Sequence, residues 1–493
     1  MKNYIRYTFG LTLLVVLMML GLRYLPAETL RSVGLKPVNI LADLQQGNSV
    51  EQLDLLDAEY GAGETRGGYT VGSVVEPDTL ASAAGDSTQA VSTIFVEPDP
   101  RLVEDSLAGN DTLAPQPVRR EPVEPVSSGG RIPIRDYSPA GDMLSGFVAQ
   151  LGRATQMQRP VRIGFMGDSF IEGDLLTSDF RELMQDKYGG GGVGFVPITS
   201  QVAGFRQTVG HKFGDWKQHS IVNSKEGGQF TISAFNFTPS EDSYVEYKAS
   251  AGRPHLDRFS RARLLFISQG RSTIRVTING EQEQLFETEP RETLQEIQLD
   301  GDFRSIRYQV SNVEGFTAYG VYLENPTGVC VDNFSVRGNA GPVMGRISPV
   351  LSEQFGELSP YDLIILQYGL NVVSSEVTDY SAYRKQMIQV VNHIQQCFPG
   401  VAILVMSVGD RATQENGQFV TMPGIRAMVA EQERVAQDCG VLFWNTYEAM
   451  RAAGGMGTFV KNGWAAKDYT HISARGGRKI ATALFEAVTG EQK

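Results

Sequence analysis

Three residues widely separated in the chain have the types and the settings that nucleophilic catalysis needs. The first lies in Val161-Arg-Ile-Gly-Phe-Met-Gly-Asp-Ser-Phe170, an apolar run that breaks at a glycine and leaves a hydroxyl at the break. About six residues rich in Val, Ile and Phe, with Pro160 just upstream, predict a fully buried parallel strand. Gly167 then permits a sharp turn and leaves Ser169 outside the carboxyl end of the sheet, where open α/β folds place their ligands. The tripeptide alone decides nothing: Gly85-Asp86-Ser87 repeats it in a polar stretch with no strand before it and no helix after it. A serine after a strand is more often a turn residue or helix N-cap than a nucleophile. The far end of the chain changes that balance, because Lys467-Asp468-Tyr469-Thr470-His471 supplies an acid and an imidazole three residues apart. At that spacing Asp468 can accept from one ring nitrogen of His471 while the other faces a serine hydroxyl. Asp168 is expected to fix the turn by hydrogen bonds, with no part in the chemistry.

The elements that must position these residues read as alternating strands and helices, interrupted once. A helix over Met143–Ala154 feeds the serine strand, and Asp174–Tyr188 carries helical spacing up to a glycine run. That run, Gly189–Gly194, follows a helix and lacks a Lys-Ser/Thr sequel, so it is a loop leading into Val193–Pro197 and not a phosphate cradle. Between about Ser200 and Cys330 helical periodicity vanishes and short alternating runs take over. These are Gln229–Phe237, Tyr244–Ala249, Leu264–Ile267, Ser272–Ile278, Leu294–Leu299, Ile306–Val310 and Ala318–Leu323, with Asn279-Gly280 as a type I′ hairpin signal. About eight strands in this stretch suggest an inserted β-sandwich. After it come a helix near Gly345–Phe355, strand Asp362–Gln367, helix Tyr380–Cys397, strand Val401–Ser407, a helix near Ile425–Asp438, strand Val441–Trp444 and, behind the histidine, helix Arg475–Val488. Such alternation implies a parallel sheet wrapped by helices.

The Gly-Asp-Ser block and the Asp-x-x-His block resemble those of the GDSL/SGNH hydrolase family, serine esterases of flavodoxin-like α/β/α fold. Two further blocks extend the resemblance. Leu363-Ile-Ile-Leu-Gln-Tyr-Gly-Leu-Asn371 ends in Gly-x-Asn, so Asn371 matches the family's oxyanion asparagine. Asn333-Phe-Ser-Val-Arg-Gly338 matches the block that carries the oxyanion glycine. One departure is Val372, where the family often has Asp; the donor amide is retained. An α/β domain split by a β-sandwich between its serine block and its oxyanion glycine looks like the layout of the peptidoglycan O-acetylesterases of Gram-negative bacteria. Tyr188-Gly-Gly-Gly-Gly-Val-Gly-Phe195 and Trp464-Ala-Ala-Lys-Asp-Tyr-Thr-His471 are similar to segments of that group. The resemblance spans about Ile132 to Val488 and implies hydrolase parts over 132–199 and 331–493 around a carbohydrate-binding-like insert over 200–330. It implies Ser169 as nucleophile, His471 as base, Asp468 as its orienting acid, and Gly338 and Asn371 as oxyanion donors. It also implies an acetylated cell-wall polysaccharide as substrate, with no metal and no cofactor.

The remaining features bound where such an enzyme works. With 493 residues and 41% hydrophobic content the chain is long enough for two or more domains. A net charge of −12 with no basic cluster argues against a nucleic-acid partner. Residues Tyr7–Leu22 form an apolar run preceded by Lys2 and Arg6. At about 1.5 Å per residue it covers roughly 24 Å, and its neighbours extend it toward a membrane span. An uncleaved signal anchor over residues 1–25 is expected, since no small-x-small cleavage site follows; a cleaved signal peptide is the alternative. The basic end would stay in the cytoplasm and the rest would be exported to the periplasm, anchored at the inner membrane. Residues 38–131 shift to Glu, Asp, Pro, Ser, Gly and Thr, the composition of a disordered acidic tether. Three cysteines, Cys330, Cys397 and Cys439, cannot form a fully paired framework. His211, His219, His255 and His393 are taken as structural or exposed. Trp464 and Tyr469 suit either stacking on a sugar ring or packing beneath the last helix; Trp216 and Tyr319 are weaker candidates. Two rival functions share these residues: an O-acetyltransferase on the same scaffold, and a non-catalytic cell-wall-binding protein.

Overall fold

The structure, a computed structural model, describes residues 131–225, 228–415 and 417–490. The expected anchor, all but the last residue of the expected tether, and the second Gly-Asp-Ser lie outside the described residues. Among the described residues no helix is long and apolar enough to cross a membrane.

The chain begins with a short strand β1 (Arg135–Asp136) and helix α1 (Met143–Leu151), then enters the serine strand β2 (Val161–Gly167), every residue of which is buried. Helix α2 (Thr177–Tyr188) and strand β3 (Gly194–Val196) follow. The expected helix from Asp174 thus begins three residues later: Asp174 itself has φ +65° and lies in the loop after Ser169. A long β-rich stretch comes next, built from β4 (Val209–Ser220), β5 (Phe235–Ala249), β6 (Phe259–Ser268), β7 (Thr273–Ile278), β8 (Gln282–Glu287), β9 (Arg291–Phe303), β10 (Ser305–Ser311) and β11 (Phe316–Glu324). Then the α/β alternation returns with β12 (Val329–Ser335), α3 (Pro349–Leu358), β13 (Leu363–Gln367), α4 (Ser381–Cys397), β14 (Ala402–Met406), a hairpin β15 (Ala412–Glu415) and β16 (Gln418–Thr421), and α5 (Pro423–Cys439). Strand β17 (Leu442–Trp444) and helices α6 (Thr446–Ala452), α7 (Gly455–Lys461) and α8 (Ala474–Thr489) complete it.

Six strands form the central sheet in the order β1-β17-β14-β13-β2-β12, with β12, β2, β13, β14 and β17 parallel and β1 antiparallel at the edge. Taken in order of appearance the five parallel strands lie 2-1-3-4-5, so the order reverses at β2. An open α/β sheet has its ligand crevice outside the carboxyl ends of the strands at such a switch. Ser169 leaves the end of β2 there, between β12, which leads to Gly338, and β13, which leads to Asn371.

The inserted strands form two groups, β8-β7-β10-β5-β4 and β9-β6-β11-β3, joined in pairing at one position, Phe237 opposite Ala318. Phe237, Val245 and Ile306 of the first group share a core with Leu264, Phe266 and Val321 of the second. Four sequence expectations are corrected. Gln229–Phe237 and Tyr244–Ala249 are not two strands: one 15-residue strand runs from Phe235 to Ala249, and the polar Thr238–Ser243 stretch disguised its continuity. Strand β4 escaped notice because it is an edge strand with little apolar alternation, pairing only with β5. The helix expected from Gly345 begins at Pro349, with Ser348 capping it by accepting from the Leu351 N–H at 3.2 Å. Strand membership also crosses the expected 200–330 limits, since β3 pairs antiparallel with β11 while β12, beginning at Val329, belongs to the central sheet.

The glycine run makes that crossing possible. Gly190 has φ +113°, and a Cβ on it would lie 2.5 Å from the Val329 carbonyl oxygen; one on Gly192 would lie 2.3 Å from that of Leu323. Only glycine lets the backbones of α2's exit, β11 and β12 pass this closely. The two units are also joined by buried charge. Arg162 of β2 donates to Glu324 at 2.7 Å and to Asp332 at 3.1 Å, Arg263 of the insert reaches Glu324 at 3.0 Å, and both guanidiniums lie over the Tyr322 ring. Cys330, buried within this cluster, is free, as are Cys397 and Cys439.

Candidate active site

Each site residue is delivered by a strand end or a helix start. Gly167 is required at the end of β2 because a Cβ there would sit 2.8 Å from Ile171 Cδ1 and 3.0 Å from the Gln367 carbonyl of β13. The chain then turns, and Asp168 Oδ1 accepts from the Phe170 N–H at 2.9 Å, which fixes the turn as expected. Its second oxygen does more: Asp168 Oδ2 accepts from Asn371 Nδ2 at 3.0 Å. The other Asn371 amide hydrogen goes to the Asn339 carbonyl at 3.2 Å, one residue beyond Gly338. Gly338 has φ +74°, with open space where a side chain would be. Asp168, Gly338 and Asn371 are thereby gathered around Ser169.

The acid and the imidazole meet as the spacing implied, with His471 Nδ1 2.5 Å from Asp468 Oδ2. Burial alone would raise the Asp468 carboxyl, but the His471 ring and the N–H groups of His471 and Thr470, at 3.1 and 2.9 Å, outweigh it and hold it below the ordinary carboxylate range. This loop is brought to the serine by packing at the start of α8. A Cβ on Gly477 would lie 1.6 Å from the Leu175 carbonyl and one on Gly476 1.9 Å from that of Trp464, so the helix rests its backbone directly on the serine loop. Arg478 adds a bond to Asp179 of α2 at 2.9 Å. His471 is then close enough for its charge to act on Asp168 and Glu172, on either side of Ser169. Ser169 Oγ itself makes no hydrogen bond to His471 in this structure. Apo sites often tighten such contacts only on binding.

Several supporting residues gave no signal in the sequence because their partners are remote. Asp174 is buried between Arg181 and Arg206, accepts from Thr177 and Thr208, and is held well below its ordinary range by those two guanidiniums against the cost of burial. Asn333 ties this group to the serine loop by donating to the Ile171 carbonyl at 2.7 Å. Glu172 pairs with Arg337, beside Gly338; burial nevertheless leaves its carboxyl raised. Burial likewise pushes Asp168 up to about 7, with the Phe170 N–H and His471 opposing.

The expected secondary candidates have packing partners. Trp464 lies edge-on to Phe459 with Lys479 5.0 Å above its ring. Tyr469, at φ +56°, has one face covered by Phe419 of the β15–β16 hairpin, ring centroids 3.5 Å apart, which leaves Phe419 as the exposed aromatic there. Trp216 donates to the Tyr244 carbonyl, and Tyr319 is buried. His211, His219, His255 and His393 bond Ile198, Thr238, Asp186 and Ile347 respectively, away from Ser169. Among the described residues no three or more His, Cys, Asp or Glu side chains are gathered to hold a metal ion.

Among solved structures, a peptidoglycan O-acetylesterase superposes with a TM-score of 0.60 at 21% identity, over 72% of this chain and 98% of that one. The chain has that esterase's fold. This is the fold the SGNH resemblance implies, and the match takes in the α/β unit together with its insert. A family two carbohydrate esterase from Clostridium thermocellum in complex with cellohexaose matches at 11% identity and TM-score 0.24, over 57% of this chain and 98% of that one. A salicylyl-acyltransferase from a tetracycline biosynthetic pathway matches at 14% and 0.26, over 59% and 95%. Both are too distant in shape to add to the argument. No protein-family model and no curated protein matches the chain.

Proposed function

We propose that the chain is an SGNH-type serine esterase that removes O-acetyl groups from a cell-envelope polysaccharide, with peptidoglycan as the substrate. The observation that supports this reading is the bonded Asp468–His471 pair, on a loop leading into a helix that packs against the loop after Ser169, together with the Asn371 amide held by Asp168 next to Ser169. The fold shared with a peptidoglycan O-acetylesterase supports it. The expected export and inner-membrane tether are part of the proposal.

In this mechanism Ser169 Oγ attacks the acetyl carbonyl while His471 Nε2 takes its proton, and Asp468 holds Nδ1–H and stabilises the imidazolium. The tetrahedral oxyanion is met by the Ser169 and Gly338 N–H groups and by Asn371 Nδ2. Both Asn371 amide hydrogens are engaged in the structure, so the oxyanion takes over the longer bond, that to the Asn339 carbonyl, while Asp168 keeps the amide oriented. His471 returns the proton to the departing sugar hydroxyl, and water, activated by the same imidazole, releases acetate.

The test compares the wild type with Ser169→Ala and His471→Ala on a small acetyl ester and on O-acetylated peptidoglycan. Each variant should lose nearly all turnover while unfolding at the wild-type temperature, because the two groups act as one unit. Full turnover by a folded Ser169→Ala would remove the nucleophile. Acetate should be released from the polymer without a partner. Faster accumulation of acetylated oligosaccharide than of acetate would replace the esterase by a transferase.

A further inference from the structure

Beside the serine loop a cavity of about 170 Å³ opens between the α/β unit and the insert. One wall is Glu172–Asp174, the turn directly after Ser169, together with Ser335–Arg337, directly before Gly338. The opposite wall belongs to the insert and carries Gln218, Ser220, Val222 and Asn223. The loops that carry Ser169 and Gly338 therefore border it, linked by the Arg337–Glu172 pair, although neither Ser169 nor Gly338 itself lines it.

The lining says what it would hold. Its charges balance, Glu172 against Arg337 and Asp174 against Arg206, so nothing there selects a phosphate or another strong anion. The rest is divided between neutral hydrogen-bonding side chains such as Gln218, Ser220 and Asn223 and apolar ones such as Pro197, Val222 and Phe235, a mixture that fits a sugar ring with polar edges and apolar C–H faces. Gln218 has its carbonyl oxygen fixed by Thr199 Oγ1 at 2.7 Å, which commits its amide hydrogens as donors. Hydroxyls and amides on a compact ring match such a lining. The volume is below the roughly 300–1,000 Å³ of pockets that enclose drug-sized ligands, so it accommodates one ring and not several.

The insert's wall is also held in place. Arg346 of the α/β unit donates to the Ile221 and Ser224 carbonyls at 2.8 and 3.1 Å. On the near side Arg206 and Thr208 both bond Asp174. A site built across two units and fixed on both sides is pre-organised, so little ordering cost is charged to binding.

We propose that this cavity is a saccharide subsite that holds the pyranose ring bearing the ester, so that the insert is a wall of the active site. The inference rests on the esterase reading for its substrate class and extends it to residues outside the catalytic set. Gln218→Ala and Asn223→Ala in the full chain test it, since neither residue touches the catalytic groups. For an O-acetylated oligosaccharide each should raise KM about tenfold, with kcat/KM on p-nitrophenyl acetate unchanged within about twofold. Calorimetric binding of an N-acetylglucosamine tetramer to Ser169→Ala should weaken by a similar factor when either change is added. An unchanged KM and unchanged binding would overturn the subsite, as would equal losses on both substrates. If the wild type releases no acetate from any acetylated saccharide, the esterase reading fails. The tetramer binding still decides the subsite: tenfold weakening in the variants supports it, and no weakening refutes it.

Discussion

Asp168→Asn keeps the shape of a fully buried side chain and removes its charge. In the wild type burial raises this carboxyl to about 7, the Phe170 N–H and His471 opposing, against an ordinary value near 3.9. The native chain therefore keeps a proton that the unfolded chain gives up. Its contribution to stability is fully present below about pH 4 and is lost as pH rises through about 7. Above pH 5 about two pH units of that window remain, and at about 1.4 kcal/mol each they amount to about 3 kcal/mol. The asparagine variant has no such dependence. It begins with a handicap, because one amide oxygen cannot accept from both Phe170 and Asn371; a lost buried bond costs about 1–3 kcal/mol. Urea unfolding at pH 5 and pH 8 should show the variant gaining about 3 kcal/mol on the wild type between the two. In ester hydrolysis the same variant should lose on the order of 10²-fold in kcat, the scale of a misplaced oxyanion donor. A stability difference identical at both pH values would refute the titration. Wild-type kcat would refute the role of Asp168 in orienting Asn371.

Two further perturbations probe the supports. Asp174→Ala leaves Arg181 and Arg206 buried without their shared carboxylate, and thermal or urea unfolding should show a loss of about 3–5 kcal/mol; a loss under about 1 kcal/mol would mean that the network does not brace the serine loop. Gly477→Ala places a methyl 1.6 Å from the Leu175 carbonyl. It should push α8 off the serine loop and cost hydrolysis and stability together, whereas normal activity would show that this close approach does not set the position of His471.

Much of the site was legible because its members are local in character. Ser169 and Asp168 follow a buried strand, Asp468 and His471 share one turn of backbone, and Asn371 follows the plain apolar run of β13; Gly338 was reached only through the resemblance, because the polar Asp332 and Asn333 concealed its strand β12. What could not be read was how each supporting residue pairs. Asp174 looked like the first residue of a helix, and only the arrival of Arg206 from 32 residues away makes it a counter-ion at positive φ. Asp168 looked like a turn residue, and it is one; its hold on Asn371 emerges only when β13 lies beside β2. The insert's long strands were misjudged for a related reason, since an edge such as β4 gets its order from backbone pairing with β5 and not from apolar periodicity.

Neighbouring residues were enough to define the parallel α/β unit, its interruption by a β-rich insert and the chemistry-bearing blocks, because strand burial, hairpin turns and an Asp-x-x-His spacing are local properties. The folded arrangement was needed to settle which strands belong to which sheet, which carboxylates are buried beside His471, and that the insert faces the serine loop across a shared cavity. Those are consequences of contacts between segments far apart in the chain, and burial and charge pairing have no value until the fold brings the segments together.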